Sequence, residues 1–472
     1  LDILITIFFL ISVTFPVLHI YHCLPFFRES GERTDANREL KRWKSEHGYD
    51  MEKGISILVP CFNEEDIIET SVESMKSLSY SRFEVFYIND GSSDNTMDQL
   101  DELLDLTPSS IASQGELTYE EVKKVYQSSH YPNIYVIDKE NGGKADSLNA
   151  GIEYATKDLV VTLDADTILT RTALNSVNEA FEDRNVVAAG GMVHVLQTKT
   201  DHPLSRLSLK NTNMLIRVQV LDFLKAFYIS KLSLVRFKAL AVISGAFGIF
   251  NKQVLIDVGG YRNSIGEDID ITLRIQRYIA KHKDMKISFI ADAVGYTELP
   301  ETWRDLTKQR LRWQKAYIDC IIHFWAFFLK TLLTKPVSFF YVFETFLIGT
   351  LAAYVMTGIM TYNIINNPGN SFIDYMFFYL FFLILFGIVY DLVALRMNKH
   401  YGFSFSKMDS LRLFVTILFD IFIYRFVAVY YVMYGSISYF FNKKWNKVSR
   451  TGRSYSQQTA TGRLAKSREN VS

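Results

Sequence analysis

The sequence predicts an α/β domain built on a parallel sheet and flanked by membrane-spanning helices. Three observations predict it. Short apolar strands alternate with helical runs between residues 55 and 163. Acidic residues, Asp90, Asp164 and Asp166, fall at the carboxyl ends of those strands, where open α/β sheets gather ligands. Apolar residues crowd 1–27 and 318–441, whereas 28–317 has the composition of an ordinary soluble domain.

Residues 1–27 are long enough for one crossing, at roughly 20 residues per span. A signal peptide needs a basic start, and Asp2 stands there instead. The linker 28–53 carries Arg28, Arg33, Arg38, Lys41, Arg42 and Lys44, a basic flank that marks the cytoplasmic side. Ile55–Pro60 and Phe83–Asp90 read as the first two strands, with a helix between them and the turn Gly91–Asp94 after. Residues 105–133 are polar and read as an inserted surface loop with a short helix near Tyr119–Gln127. Asn133–Asp138 and Leu159–Leu163 read as the next strands, separated by a helix over Lys144–Thr156. Residues 318–335 are apolar and aromatic but carry Asp319, His323 and Lys330, the pattern of an interfacial helix. Spans are expected at 337–362 and 373–395 within a region 336–441, and the tail 442–472 is basic. The run 411–441 contains Asp420 and Arg425. A single crossing there puts the basic tail outside, whereas a re-entrant hairpin keeps it inside.

The formal net charge is zero, which removes any global electrostatic argument for a nucleic-acid partner. Cys23, Cys61 and Cys320 have no paired spacing, so neither a disulfide framework nor a zinc site is indicated.

Each chemical motif has a plain structural reading beside a functional one. Asp164-Ala-Asp166 is either a helix-capping pair or, because both side chains of an extended D-x-D share a face, a site for one divalent ion. Asp90 before Gly91 suits a turn. Asn141-Gly-Gly-Lys144 suits a capping loop or a phosphate cradle of backbone N–H groups completed by Lys144, with Asn149 further along the same segment. Glu267-Asp268 either complements a helix dipole or supplies a general base. Gln309, Arg312 and Trp313 share one helix face, fit for a membrane surface or for anion and sugar binding.

The ordered set Val59–Glu64, Asn89–Asp94, Gly142–Ala145, Asp164–Asp166, Ser244–Ala246, Gly266–Asp268 and Gln309–Trp313 resembles the membrane-embedded processive family 2 glycosyltransferases, the synthases of cellulose, chitin, hyaluronan and poly-N-acetylglucosamine. The resemblance covers about 54–317 together with the flanking helices. It implies a GT-A (Rossmann-like) cytosolic domain, a plasma-membrane location and an inverting transfer from a UDP-sugar. Carried onto this sequence, it implies that Asp90, Lys144, Asp164, Gln309 and Arg312 bind the donor, and that Asp166 with Asp164 holds Mg²⁺ or Mn²⁺. Asp268, with Glu267 beside it, is the implied base, and Trp313 lines the acceptor site. Two departures stand out: Ala316 lies where the family often has Gly, and 105–133 is longer than the core fold needs.

The reading is a processive β-glycan synthase that exports its product, with UDP-GlcNAc the favoured donor and the growing glycan as acceptor. Its partners are the bilayer and accessory membrane or export subunits. The alternative is a membrane enzyme adding one sugar to a lipid. A non-catalytic scaffold would require loss of an acidic motif, and all are present.

Overall fold

The computed structural model describes residues 2–26, 52–200, 206–366 and 371–442. The basic stretch 28–51 and the tail 443–472 lie outside the described residues. The chain divides into two compact units: 1–50 with 198–241 and 300–448, and 51–197 with 242–299 and 449–472. Residues 198–241 and 300–317 of the expected transferase segment therefore fall in the first unit.

The second unit is built on one ten-stranded sheet. Its strands are β1 (Ile55–Cys61), β2 (Phe83–Asp90), β3 (Leu106–Pro108), β4 (Val122–Ser128), β5 (Ile134–Lys139), β6 (Leu159–Leu163), β7 (Ile168–Leu169), β8 (Val186–Val195), β9 (Phe247–Asn251) and β10 (Lys286–Thr297). They lie in the order β3-β4-β5-β2-β1-β6-β9-β8-β10-β7. The four central strands β5, β2, β1 and β6 are mutually parallel, and helices such as Ile68–Lys76 and Lys144–Tyr154 supply the crossovers. Nearly every residue of β1 and β6 is buried, as expected of strands covered on both faces.

The flanks correct the expectation of a parallel sheet. β9 runs antiparallel to both β6 and β8, and β4 runs antiparallel to both β3 and β5, so the sheet is mixed. The insertion is also corrected. No helix forms near Tyr119–Gln127; β3 and β4 extend the sheet there instead. Lys123, Lys124 and Gln127 of β4 are exposed or half-buried while Val125 and Ser128 are buried, so a real strand reads as polar. The loop between these strands is pinned by Glu153. Its buried carboxylate accepts from the N–H groups of Glu116 at 2.9 Å and Leu117 at 2.6 Å and from Ser113 Oγ at 3.1 Å.

The first unit is helical. Its longest helical stretches cover Asp2–Cys23, 214–236, Trp303–His323, 336–366, Ser371–His400 and Lys407–Phe441. Side-chain oxygens cap several of them: Asn213, Thr302 and Ser406 each accept from a backbone N–H three residues ahead. Two stretches, Pro336–Ile359 and Lys407–Phe441, are long and apolar enough to cross a membrane among the described residues.

The hairpin alternative for 411–441 is overturned, because Lys407–Phe441 is one continuous helix of 35 residues with a π-helical segment at Asp420–Tyr424. The helix carrying Gln309 also runs on to His323, past the expected start of an interfacial helix at 318, and a short helix Trp325–Thr331 follows.

Trp303–His323 packs alongside the C-terminal half of Lys407–Phe441. Thr307 Oγ1 lies 3.1 Å from Tyr431 Oη, Gln314 Nε2 donates to Ser436 Oγ at 2.9 Å, and Tyr439 Oη donates to Asp319 Oδ1 at 2.8 Å. Contacts advance in the same direction along both helices, so they run parallel. Gly435 permits the approach, since a Cβ there would sit 2.7 Å from Gln314 Cβ. Gly435→Val should force these helices apart and cost about 1–3 kcal/mol, the usual penalty of overpacking. Thermal unfolding of the detergent-solubilised protein checks this.

Candidate active site

In the second unit one cation joins Asp164, at the end of β6, to Glu267, at the start of a helix. Lys144 is the first residue of the Lys144–Tyr154 helix, and Glu267 and Asp268 open the Glu267–Ile279 helix. Lys144 Nζ lies 2.6 Å from Asp164 Oδ1 and 2.9 Å from Glu267 Oε1. It thus bridges the end of β6 to the start of that second helix. Desolvation works against its charge, but the two carboxylates outweigh it and hold its pKa well above the ordinary lysine value.

The three acids of the first turn have separate environments. Asp270 is fully buried between Arg262 Nε at 2.7 Å and Arg274 Nε at 2.8 Å. Glu267 faces Lys144. Asp268 accepts from Ile269 N–H at 2.8 Å and from Gly245 N–H at 3.4 Å. Burial, followed by the like charge of Glu267, pushes the Asp268 carboxyl up to about 6, against the opposing pull of Lys144. A carboxylate tuned in this way can accept a proton near neutral pH.

Gly245 is tied to this geometry. A Cβ at that position would stand 2.8 Å from Lys144 Nζ and 3.7 Å from Asp268 Cβ. The Ser244–Ala246 segment is held over the helix start by Thr272, whose hydroxyl accepts from Ile243 N–H at 2.9 Å and donates to Asp268 O at 2.6 Å.

Asp166 is buried, and its Oδ1 accepts from Thr297 Oγ1 at 3.2 Å. Asp164 and Asp166 offer only oxygen atoms, the donor type that Mg²⁺ and Mn²⁺ take, and Asp164 Oδ1 is paired with Lys144. Among the described residues, no group of three or more His, Cys, Asp or Glu side chains forms a ready-made cage. An ion here would complete its shell with phosphate oxygens and water, as Mg²⁺ commonly does.

Asp90 has a specific set of partners. Its carboxylate accepts from Lys139 Nζ at 2.9 Å, Gly142 N–H at 3.0 Å, Gly143 N–H at 2.8 Å and Asn141 Nδ2 at 3.2 Å. The loop N–H groups expected to cradle phosphate are therefore directed at Asp90, which shapes the turn that delivers Lys144. Asn149 likewise serves the fold: its amide accepts from Tyr261 N–H at 2.7 Å and donates to Tyr261 O at 2.9 Å. Gln309, Arg312 and Trp313 lie on the Trp303–His323 helix of the first unit, with Trp313 partly exposed and the Arg310 guanidinium 4.6 Å from its ring centre.

Sequence reasoning missed Lys139 and Thr297. Lys139 is fully buried between Asp90 and Asp146, the latter at 2.5 Å. The available signal for Lys139 was a lysine closing a strand that opens with the apolar run Ile134–Ile137.

The description "Glycosyl transferase family 2" matches residues 56–244, and "Glycosyl transferase family group 2" matches residues 159–442. The poly-beta-1,6-N-acetyl-D-glucosamine synthase of Staphylococcus aureus strain MSSA476 is 29% identical over 316 residues, covering 66% of each chain. The synthase of the same name from Staphylococcus epidermidis is 30% identical over 300 residues, covering 63% of this chain and 61% of its own. The matched region thus spans just under two thirds of these curated relatives. A mannosyltransferase from Pyrobaculum calidifontis, solved with GDP-Man and Mn²⁺, aligns over 93% of this chain and 100% of its own, with 14% identity and a TM-score of 0.46.

Lys139→Met should leave the Asp90 and Asp146 carboxylates without their buried cation. Breaking a buried pair from one side costs about 3–5 kcal/mol, and a drop of that order in a denaturant titration is the expected result.

Proposed function

This chain belongs to the family 2 glycosyltransferases, and we propose that it polymerises a β-linked glycan from UDP-N-acetylglucosamine and exports the product through a membrane. The GT-A fold with its mixed sheet supplies the platform. The single observation that carries the reaction is the placement of the Asp268 carboxylate, held by Gly245 N–H beside the Lys144–Glu267–Asp164 bridge. The staphylococcal relatives support the choice of sugar, and the two long apolar helices support the membrane location.

In this mechanism Asp268 accepts the proton of the acceptor hydroxyl. The freed oxygen attacks the anomeric carbon of the donor sugar, the bond from that carbon to the diphosphate breaks, and UDP leaves with the electron pair. Attack from the face opposite the leaving group inverts the anomeric centre. Glu267 keeps Lys144 in place and raises the basicity of Asp268 by like-charge repulsion. Lys144 approaches the leaving diphosphate, and Asp90 contributes to donor binding by fixing the turn before Lys144. Asp166 and Asp164 would hold Mg²⁺ or Mn²⁺, which when bound offsets the charge of the departing diphosphate. Gln309 and Arg312 are assigned to the diphosphate, and Trp313 to the face of the acceptor sugar, where a flat ring suits stacking. The helices 336–359 and 407–441 are assigned as spans, with the catalytic unit on the cytoplasmic side.

The test is product formation by nanodisc-reconstituted protein given UDP-GlcNAc or UDP-glucose with Mg²⁺ or Mn²⁺. A high-mass polymer from UDP-GlcNAc, digestible by a β-N-acetylglucosaminidase, is expected; a single-sugar lipid product would replace this reading with simple transfer. Asp268→Asn should lower turnover by about 10²- to 10⁴-fold, the usual contribution of a general base. The base works ionised, so turnover should hold above pH about 6 and fall about tenfold per unit below it. Lys144→Met removes a charge that opposes the upward shift, so the acidic limb of that profile should move to higher pH.

A further inference from the structure

Three carboxylates of the first unit converge on one ammonium group. Lys225 Nζ lies 3.2 Å from Asp391 Oδ1, 3.4 Å from Asp420 Oδ2 and 3.6 Å from Asp222 Oδ1. Asp391 is fully buried, and Lys225 is its ion-pair partner among the described residues. Two arginines close the network: Arg425 Nη2 is 3.9 Å from Asp420 Oδ2, and Arg310 Nη2 is 3.1 Å from Asp222 Oδ2. Among the described residues the cluster sets three carboxylates against three cationic side chains.

Its members come from four helical stretches: Asp222 and Lys225 from 214–236, Arg310 from Trp303–His323, Asp391 from Ser371–His400, and Asp420 and Arg425 from Lys407–Phe441. Backbone irregularity coincides with it. A π-helical segment begins immediately after Lys225, at Ala226, and another begins at Asp420 itself. Such segments rotate the side chains that follow out of α-helical register and recur at functional positions.

A buried ionic cluster is weak evidence for stability, because desolvation offsets most of the attraction. What it supplies is fixed geometry. Asp222 is the hinge of that geometry, with one oxygen toward Lys225 and the other toward Arg310. Arg310 in turn lays its planar guanidinium 4.6 Å from the centre of the Trp313 ring, while Trp313 stays 39% exposed. One part of the indole is thus held by a cation, and the rest is open to a ligand.

We propose that Asp222 and Lys225 are positioning residues of the acceptor site, aiming Trp313 at the glycan end through Arg310. The inference rests on the assignment of Trp313 to the acceptor. The ionic cluster fixes the Arg310 plane, the plane fixes the indole, and the indole presents its free surface to a β-linked N-acetylglucosamine oligomer. Asp391 and Asp420 hold Lys225, so two further helices contribute to the same aim.

The experiment uses the full chain in nanodiscs, with UDP-GlcNAc as donor and short β-linked N-acetylglucosamine oligomers as acceptor. UDP release gives a KM for each substrate, and a gel gives product length. Asp222→Asn should raise the acceptor KM at least fivefold and shorten the product, with the donor KM held within about twofold. Asp222→Glu, which keeps the charge, should recover much of the loss. Arg310→Lys keeps the pairing charge but loses the planar face, and should show the same acceptor defect even if Asp222→Asn fails to fold. The double variant should be little worse than either single one, as expected for residues acting in series.

An unchanged acceptor KM in Arg310→Lys, or equal proportional losses for both substrates, would overturn the proposal. Trp313→Ala separates the two levels. If it raises the acceptor KM while the Asp222 and Arg310 variants do not, this inference alone falls. If it leaves the acceptor KM unchanged in a polymerising enzyme, the acceptor assignment falls with it. A wild-type protein that forms no glycan at all sinks both.

Discussion

The candidate site of the second unit is organised by a single ammonium group held between two carboxylates. Lys144 touches Asp164 at the end of a parallel strand and Glu267 at the start of a helix more than a hundred residues later. Without a cation there, Asp164, Glu267 and Asp268 would repel one another in a partly desolvated site. With it, their charges are unequal in consequence: Glu267 is paired, and Asp268 carries the burden of burial and of its neighbour's charge. The surrounding architecture keeps that lysine in place. Asp90, itself fixed by buried Lys139, draws the Asn141–Gly143 turn into shape, and Gly245 leaves room where any side chain would intrude.

The same economy of charge recurs in the first unit under a different constraint. There the ionisable groups sit on long, mostly apolar helices and are neutralised as a set, not in pairs. Ionisable residues in such surroundings are tolerated when they face one another. The π-helical segments beside Lys225 and Asp420 are the backbone's part in that arrangement.

Much of this was legible in the sequence where the signal is local. β1, β2, β5 and β6 are apolar runs, and the acids at or just after the ends of β2 and β6 mark the edge of the site. The Glu267–Ile279 helix follows from its Gly-rich approach and acidic first turn. What failed was non-local. The β4 stretch read as a short helix in a surface loop because Lys123 and Lys124 face water, and its identity as a strand comes from its neighbours β3 and β5. Asp420 and Arg425 left a re-entrant hairpin open beside a single crossing, because one sequence stretch shows the cost of a charge but not the distant partner that offsets it. Lys225 is 195 positions from Asp420, and no spacing rule spans that interval. Asp90 was legible as important, but its partners Lys139, Gly142 and Gly143 became visible only when β2 and β5 were placed side by side.

Assigned as a span, as proposed above, the continuous helix from Lys407 to Phe441 has a consequence for the lipid around it. At about 1.5 Å per residue its 35 residues extend about 52 Å, against a hydrocarbon core of about 30 Å. A helix so much longer than the layer it crosses must lean or protrude, and the balance between the two shifts with acyl-chain length. On that assignment bilayer thickness becomes a setting on this molecule, and Asp420 and Arg425 lie near the middle of the helix that registers it.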